Sequence, residues 1–206
     1  MYGGLVAPSG VLALRLVKGR RVSTFWWRLR NFPRLFAGLW RLAVARVLGI
    51  PVYYGTLKLC LFRRDGSVLD YGVVGYRVVT TAGMNFLVDA FQGITDLSLF
   101  VYHGLGTGTN GEVAGDTGLQ SELSTQYVPD STRTTGSSTE GASANIYRSV
   151  GLVQVDDDVD ITEHGLFTQA ATGGGTLLDR TVFTLVGMVS GDKLEATYEI
   201  TFTAGS

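Results

Sequence analysis

The sequence predicts a mainly β protein, an antiparallel β-sandwich or jelly-roll-like domain with one short helix, preceded by a basic arm carrying an amphipathic helix. Three observations carry this prediction. Segments of two-residue alternation recur from residue 51 onward, separated by Gly-, Ser- and Asp-containing turns. One segment near the N-terminus repeats its apolar residues at three- and four-residue steps instead. The charge is also divided: no Asp or Glu precedes Asp65, so residues 1–64 hold twelve basic residues and no acid. Residues 65–206 hold the other five basic residues and all 18 acids, so a net charge of −1 conceals halves of +12 and −13. Such a split is a statement about partners, since opposite ends attract across copies or seek an oppositely charged surface.

The arm is assigned to residues 1–50 and its helix to about 32–48. Asn31 is placed as the N-cap, Pro33 in the first turn, Gly49 just past the end and Pro51 as the stop. Leu35, Phe36, Leu39, Trp40, Ala43 and Val47 form the apolar stripe, and Arg34 and Arg41 share a side. Upstream, Phe25, Trp26 and Trp27 interleave with Arg28 and Arg30. Three readings are open for this arm. It is a plain amphipathic helix with a solvated basic face, a surface that docks on a partner protein or a membrane, or a nucleic-acid contact. The second draws on Trp and Arg as the usual interface anchors and names Phe25, Trp26, Trp27, Arg28, Arg30, Arg34, Trp40 and Arg41. The third lacks any RRM, KH or zinc-finger spacing. The apolar run at 35–50 is broken by Arg41 and Arg46, too short and too charged to span a bilayer. The order of apolar and basic residues near the start does not match a secretory signal.

The β-rich acidic domain occupies 51–206. Strands are expected at 53–62 and 68–80 as a hairpin about Asp65-Gly66, then a helix capped by Thr80 and ended by Gly93, with Phe86, Leu87, Ala90 and Phe91 as its stripe. A strand at 97–102, a loop at 104–118, a helical turn at 119–123 and strands near 124–134, 144–155, 159–169, 176–186 and 193–203 complete the reading. The last alternates most strictly, with Leu194, Ala196, Tyr198, Ile200 and Phe202 on one side. Residues 131–143, rich in Ser, Thr and Gly, read as a flexible connection.

Nothing in the sequence assembles a catalytic or cofactor site. Gly106-Thr-Gly-Thr-Asn-Gly111 matches G-x-G-x-x-G after a strand, but Glu112 and Asp116 stand where a helix N-terminus should receive phosphate. It reads as a conformationally demanding loop. Asp156, Asp157, Asp158 and Asp160 offer carboxylates to a Ca²⁺ without an EF-hand pattern, and read as a solvated turn. His103 and His164 lack companions at ligand spacing and are expected to be satisfied by hydrogen bonds. Cys60, the single cysteine, is expected as a small, partly buried side chain. The reading is therefore a non-enzyme with no cofactor and no small-molecule substrate.

An ordered set of motifs adds a resemblance. Val79-Thr-Thr-Ala-Gly-Met-Asn-Phe86, Tyr102-His-Gly-Leu-Gly-Thr-Gly-Thr109 and Gly115-Asp-Thr-Gly-Leu119 come first. Glu140-Gly-Ala-Ser-Ala-Asn-Ile-Tyr-Arg-Ser149, Ile161-Thr-Glu-His-Gly-Leu-Phe167, Leu177-Leu-Asp-Arg-Thr-Val-Phe183 and Gly191-Asp-Lys-Leu-Glu-Ala-Thr-Tyr-Glu-Ile-Thr-Phe202 follow. Over about 79–206 the chain resembles a family of small structural proteins of tailed bacteriophages; the arm is outside the resemblance. What the resemblance implies is a non-enzymatic virion component, assembled in the host cytoplasm. Two placements fit it, a capsid decoration (cement) protein or a subunit of the tail, collar or fibre, the latter an adaptor or receptor-binding module. The implied partners are other copies of the chain, as a trimer or higher oligomer, and the major capsid protein or tail proteins. The charge split favours decoration, with the arm clamping neighbours and the acidic domain facing solvent. A peripheral membrane protein held by the aromatic arm is the remaining alternative. On this division, removing residues 1–50 should leave the β domain folded.

Overall fold

Alternation along the strands sets which side chains meet between the sheets. The computed structural model describes residues 20–48, 53–77 and 79–203. It contains α1 (Phe25–Val47), β1 (Tyr53–Phe62), β2 (Val68–Arg77) and α2 (Thr81–Phe91), then a 3₁₀ turn at Leu97–Leu99. There follow β3 (Tyr102–Gly106), β4 (Thr134–Thr135), β5 (Thr139–Glu140), β6 (Ile146–Gln154), β7 (Val159–Phe167), β8 (Leu177–Met188) and β9 (Lys193–Phe202). The strands form two antiparallel sheets, ordered β2-β1-β9-β6-β5 and β4-β3-β7-β8. The protein is a β-sandwich, as the alternation predicts.

In β1, Leu57, Leu59 and Leu61 point inward and pair across β9 with Tyr198, Ala196 and Leu194. Ile161, Phe183 and Val186 of the second sheet meet them in one apolar cluster. A second cluster at one end holds Val79, Phe100, Leu166, Leu178, Tyr198 and Ile200. On the outer face, Glu199 takes Lys58 at 3.4 Å and Arg148 at 2.6 Å. Cys60, on that same alternate face, is half-buried, and burial pushes its thiol up to about 11, so it is held as the neutral thiol.

The hairpin, the Thr80-capped α2 and the strands β6 to β9 fall where alternation and capping place them. Thr80 accepts a 3.0 Å bond from Gly83 N, and Gly93 takes the positive φ of +73° that ends the helix. Four expectations change. The expected strand at 97–102 is a 3₁₀ turn, with β3 starting only at Tyr102. The stretch 119–123 is extended rather than helical, bridged to β3 at Gly106 and Glu122. Of the expected strand 124–134 only the last residue, Thr134, falls in a strand, the two-residue β4. The Ser/Thr/Gly patch at 131–143 is an ordered connection: it supplies β4 and β5 and buries Arg133.

The arm departs most from expectation. Its helix starts at Phe25, ahead of the expected residue 32, and runs through Pro33. Asn31 is therefore no cap. The interior Pro costs one backbone hydrogen bond, and packing of the upstream turn holds the helix across that gap. The stop signals Gly49 and Pro51 lie outside the described residues.

Candidate functional site

Helix α1 lies over one open side of the sandwich, where edge strand β2 of one sheet approaches edge strand β8 of the other. Asn31 joins them. Its Nδ2 donates to the Val74 carbonyl of β2 at 2.8 Å, and its Oδ1 accepts from Thr184 N of β8 at 3.1 Å. Both are edge groups that would otherwise want a further strand. Thr24 Oγ1 and Arg28 Nη2 donate to the Asp70 carbonyl at 2.6 and 2.8 Å. Trp27 packs on Tyr71 with its ring tilted by 55° at 4.6 Å between centroids, and donates from Nε1 to the Leu185 carbonyl at 2.8 Å. At Gly38 the helix comes so near β2 that a Cβ would meet Tyr76 Cβ at 2.8 Å. Residues 27, 31, 35, 38, 42 and 45, at four- and three-residue steps, make this inner face.

The opposite face has its own repeat. Phe25, Leu29, Phe32, Phe36, Leu39 and Ala43 recur at steps of four and three, flanked by Trp26, Trp40 and Val44. These large side chains stand in solvent, Phe25 at 62%, Trp26 at 72% and Trp40 at 63% exposure. Phe25 and Trp26 pack edge to face at 5.5 Å. Arg30, Arg34 and Arg41 form a row on one flank and Arg28 lies on the other. Residues 20–48 contain no acid, so every charge that α1 itself carries beside this ridge is positive. Patches of this kind mark interaction surfaces rather than ordinary surface.

Of the eight arm residues singled out from sequence, Phe25, Trp26 and Trp40 are thus displayed together, with Arg30, Arg34 and Arg41 alongside. Trp27 and Arg28 are instead committed to the chain's own sheets, with Arg28 also 3.6 Å from Asp70 Oδ1. Arg41 additionally lines a cleft of about 240 Å³ with Tyr54, Tyr76 and Glu112, where the far end of α1 meets the sandwich.

The glycine-rich loop is explained by an anion belonging to the chain itself. Glu163, wholly buried on β7, accepts from Gly108 N at 2.9 Å, Ser121 N at 2.8 Å and Gln120 N at 3.0 Å. Arg180 Nε completes the cage at 2.7 Å, and its Nη1 reaches Asp116 at 3.1 Å. A Cβ on Gly108 would lie 2.4 Å from Glu163 Oε1, so glycine is required by close approach. The G-x-G-x-x-G segment therefore cradles a carboxylate where a dinucleotide loop cradles phosphate. A parallel clasp uses Arg133, which forks onto Glu122 at 2.5 and 2.9 Å and lies over the Phe167 ring at 3.5 Å. Both clasps pin the long segment between β3 and β4 to the second sheet.

The two histidines find each other between the sheets. His103 Nδ1 lies 3.0 Å from His164 Nε2, and His103 Nε2 lies 2.9 Å from Ser149 Oγ. If His103 donates to Ser149 and His164 donates to His103, the group left without a partner, His164 Nδ1, is a bare acceptor and the less costly kind of orphan. Burial drives both imidazoles toward the neutral form, His103 to about 3 and His164 well below its ordinary value. Ser149 and both rings are sealed from solvent, so the Ser–His chain has no route to a substrate. In the Asp156–Asp158 turn, Asp157 and Asp158 accept backbone N–H bonds from Asp158 and Ser190. Among the described residues no group of three His, Cys, Asp or Glu side chains is arranged to hold a metal ion.

Comparison with family models, with curated proteins and with solved structures finds no match to this chain. The class that the fold and site define is an antiparallel β-sandwich closed along one side by a helix with a displayed aromatic ridge.

Proposed function

We propose that this chain is a non-enzymatic structural subunit of a bacteriophage virion, a capsid decoration protein that binds its particle through the outer face of α1. The observation that carries the reading is that ridge: Phe25, Trp26, Phe32, Phe36 and Trp40 exposed on a helix whose other side is fully engaged and whose charges are all arginine. A monomer gains nothing from displaying it, whereas burying such anchors against a partner is the main source of interface energy. Arg suits this role because its guanidinium pairs bidentately with carboxylates and is weakly hydrated. The polar groups of the interior support the same reading. Glu163, Arg180, Glu122, Arg133, Asn31 and the histidines are spent on holding the scaffold rigid.

In this reading the clamping surface is the ridge, since Trp27, Arg28 and Asn31 fasten α1 to its own sheets. Deleting residues 1–50 would bare the β2 and β8 edges, so side-chain substitution is the cleaner test. Trp26→Ser combined with Phe36→Ser and Trp40→Ser should leave the melting temperature almost unchanged and abolish incorporation into particles. Normal incorporation of the triple variant would overturn the reading.

A further inference from the structure

A second apolar surface lies at the end of the sandwich near α2. Leu87, Leu97, Phe100, Leu178, Ile200 and Phe202 line a groove of about 280 Å³ between α2, the 3₁₀ turn and the ends of β8 and β9. Along the same stretch of chain Val88 and Phe91 of α2, Ile94 after it and Leu99 of the 3₁₀ turn are exposed, Phe91 at 89%. Phe91, expected from the sequence on the buried stripe of α2, is thus the most exposed large apolar side chain in the described residues. No Lys or Arg occurs between Arg77 and Arg133. Of the six acids there, Glu112, Asp116 and Glu122 are held by Val182 N, Arg180 and Arg133, which leaves Asp89 and Asp96 on the elements that form the groove. Asp89 lies on α2, and Asp96 caps the 3₁₀ turn through Ser98 N at 2.8 Å. Arg148, beside the lining residue Tyr147, is already taken by Glu199.

The two surfaces are complementary in form and sign. One is a convex aromatic ridge flanked by arginines; the other is a concave apolar groove beside carboxylates. They cannot meet within one molecule, because Trp27, Arg28 and Asn31 fix α1 with its ridge turned outward. Ridge-to-ridge packing of two α1 helices would bring arginine rows together with no acid on either helix, which like-charge repulsion opposes. We propose that the α2 groove receives the α1 ridge of a second copy, a heterologous contact that propagates into a ring or an array. The inference rests on the assembly reading above and names its first partner: the chain itself. It pairs the arginine-flanked helix with the acids of α2 and the 3₁₀ turn without invoking another protein.

The test is sedimentation velocity on the purified full chain. The wild type should self-associate with concentration, and less so as salt is raised, because the steering charges are exposed. Trp40→Ala on the ridge and Phe91→Ser at the groove, both on exposed side chains, should each weaken association by about 30-fold, the effect of losing an interface anchor. Arg41→Glu and Asp89→Arg should each weaken it alone, and mixing those two variants should restore it. A wild type that stays monomeric at every concentration overturns the inference. So does loss of association in Trp40→Ala with none in Phe91→Ser, which would mean ridge-to-ridge packing. Binding of the ridge to anionic phospholipid vesicles without self-association overturns it as well. A monomer that still enters particles through the ridge would sink this inference and leave the virion reading standing.

Discussion

Trp26 and Trp27 are neighbours in sequence and opposite in fate. Trp27 packs against Tyr71 and hydrogen-bonds Leu185, while Trp26 stands 72% exposed. The same contrast runs the length of α1. Its inner face carries Asn31, Gly38 and the residues that reach the sheet edges; its outer face carries more aromatic surface and no intramolecular role. Apolar content therefore does not say which side of a helix belongs to the fold. The inner face is recognisable by its small and polar members, because a helix lying on strand edges must come close and must supply hydrogen-bond partners. The outer face, free of that demand, carries large side chains that await a partner.

Substitutions that separate the two faces should differ most in stability. Trp27→Ala removes a ring packed on Tyr71 together with its hydrogen bond, and should cost about 3 kcal/mol in denaturant unfolding. A loss no larger than that of Trp26→Ala would erase the distinction. Asn31→Ala leaves two edge groups of different sheets unpaired, with an expected loss of about 2 kcal/mol. Its sharper signature is faster hydrogen exchange at Thr184 N, the amide that Asn31 Oδ1 accepts. Trp26→Ala should change stability by less than ~0.5 kcal/mol, as exposed positions do, and so should register only in association or particle binding.

The rigid platform beneath the helix has a pH signature of its own. His103 is neutral in the fold with its pKa lowered to about 3, whereas the unfolded chain protonates near the ordinary value of 6.5. The contribution is fully present above pH 6.5 and is lost progressively as pH falls toward 3. His164, lowered by the same burial and by His103, acts in the same direction. Unfolding free energy should therefore fall by several kcal/mol across that window. In His103→Gln the fall should flatten, because one buried titration is gone. An unchanged slope would show that other groups set the acid sensitivity.

Much of the sandwich was legible because alternation reports directly which residues face the core. β9 is the clearest case, with Leu194, Ala196, Tyr198 and Ile200 all buried. Phe202 continues the pattern but is exposed, since the strand ends at the rim of the α2 groove. The segment between β3 and β4 was less legible. Its order comes from Glu163 and Arg133, whose partners lie 42 and 11 residues away at Ser121 and Glu122. Local pattern sees a loop with glycines; a buried carboxylate from a distant strand makes the loop rigid. A signal was present in Glu163 itself, a carboxylate between Ile161 and the Gly165-Leu-Phe167 run of β7, which once buried has to find donors.

The sequence by itself determined the period of each element, the sandwich class and the division of charge, since these follow from local spacing and composition. It marked the arm residues as aromatic and arginine-rich. Only the tertiary structure decided that Asn31 is a bridge rather than a cap, and that Trp27 and Arg28 serve the fold while Trp26 and Trp40 remain on display. The physical reason is that a helix with apolar residues on two sides has two surfaces it can bury. The choice belongs to the strand edges that need its hydrogen bonds.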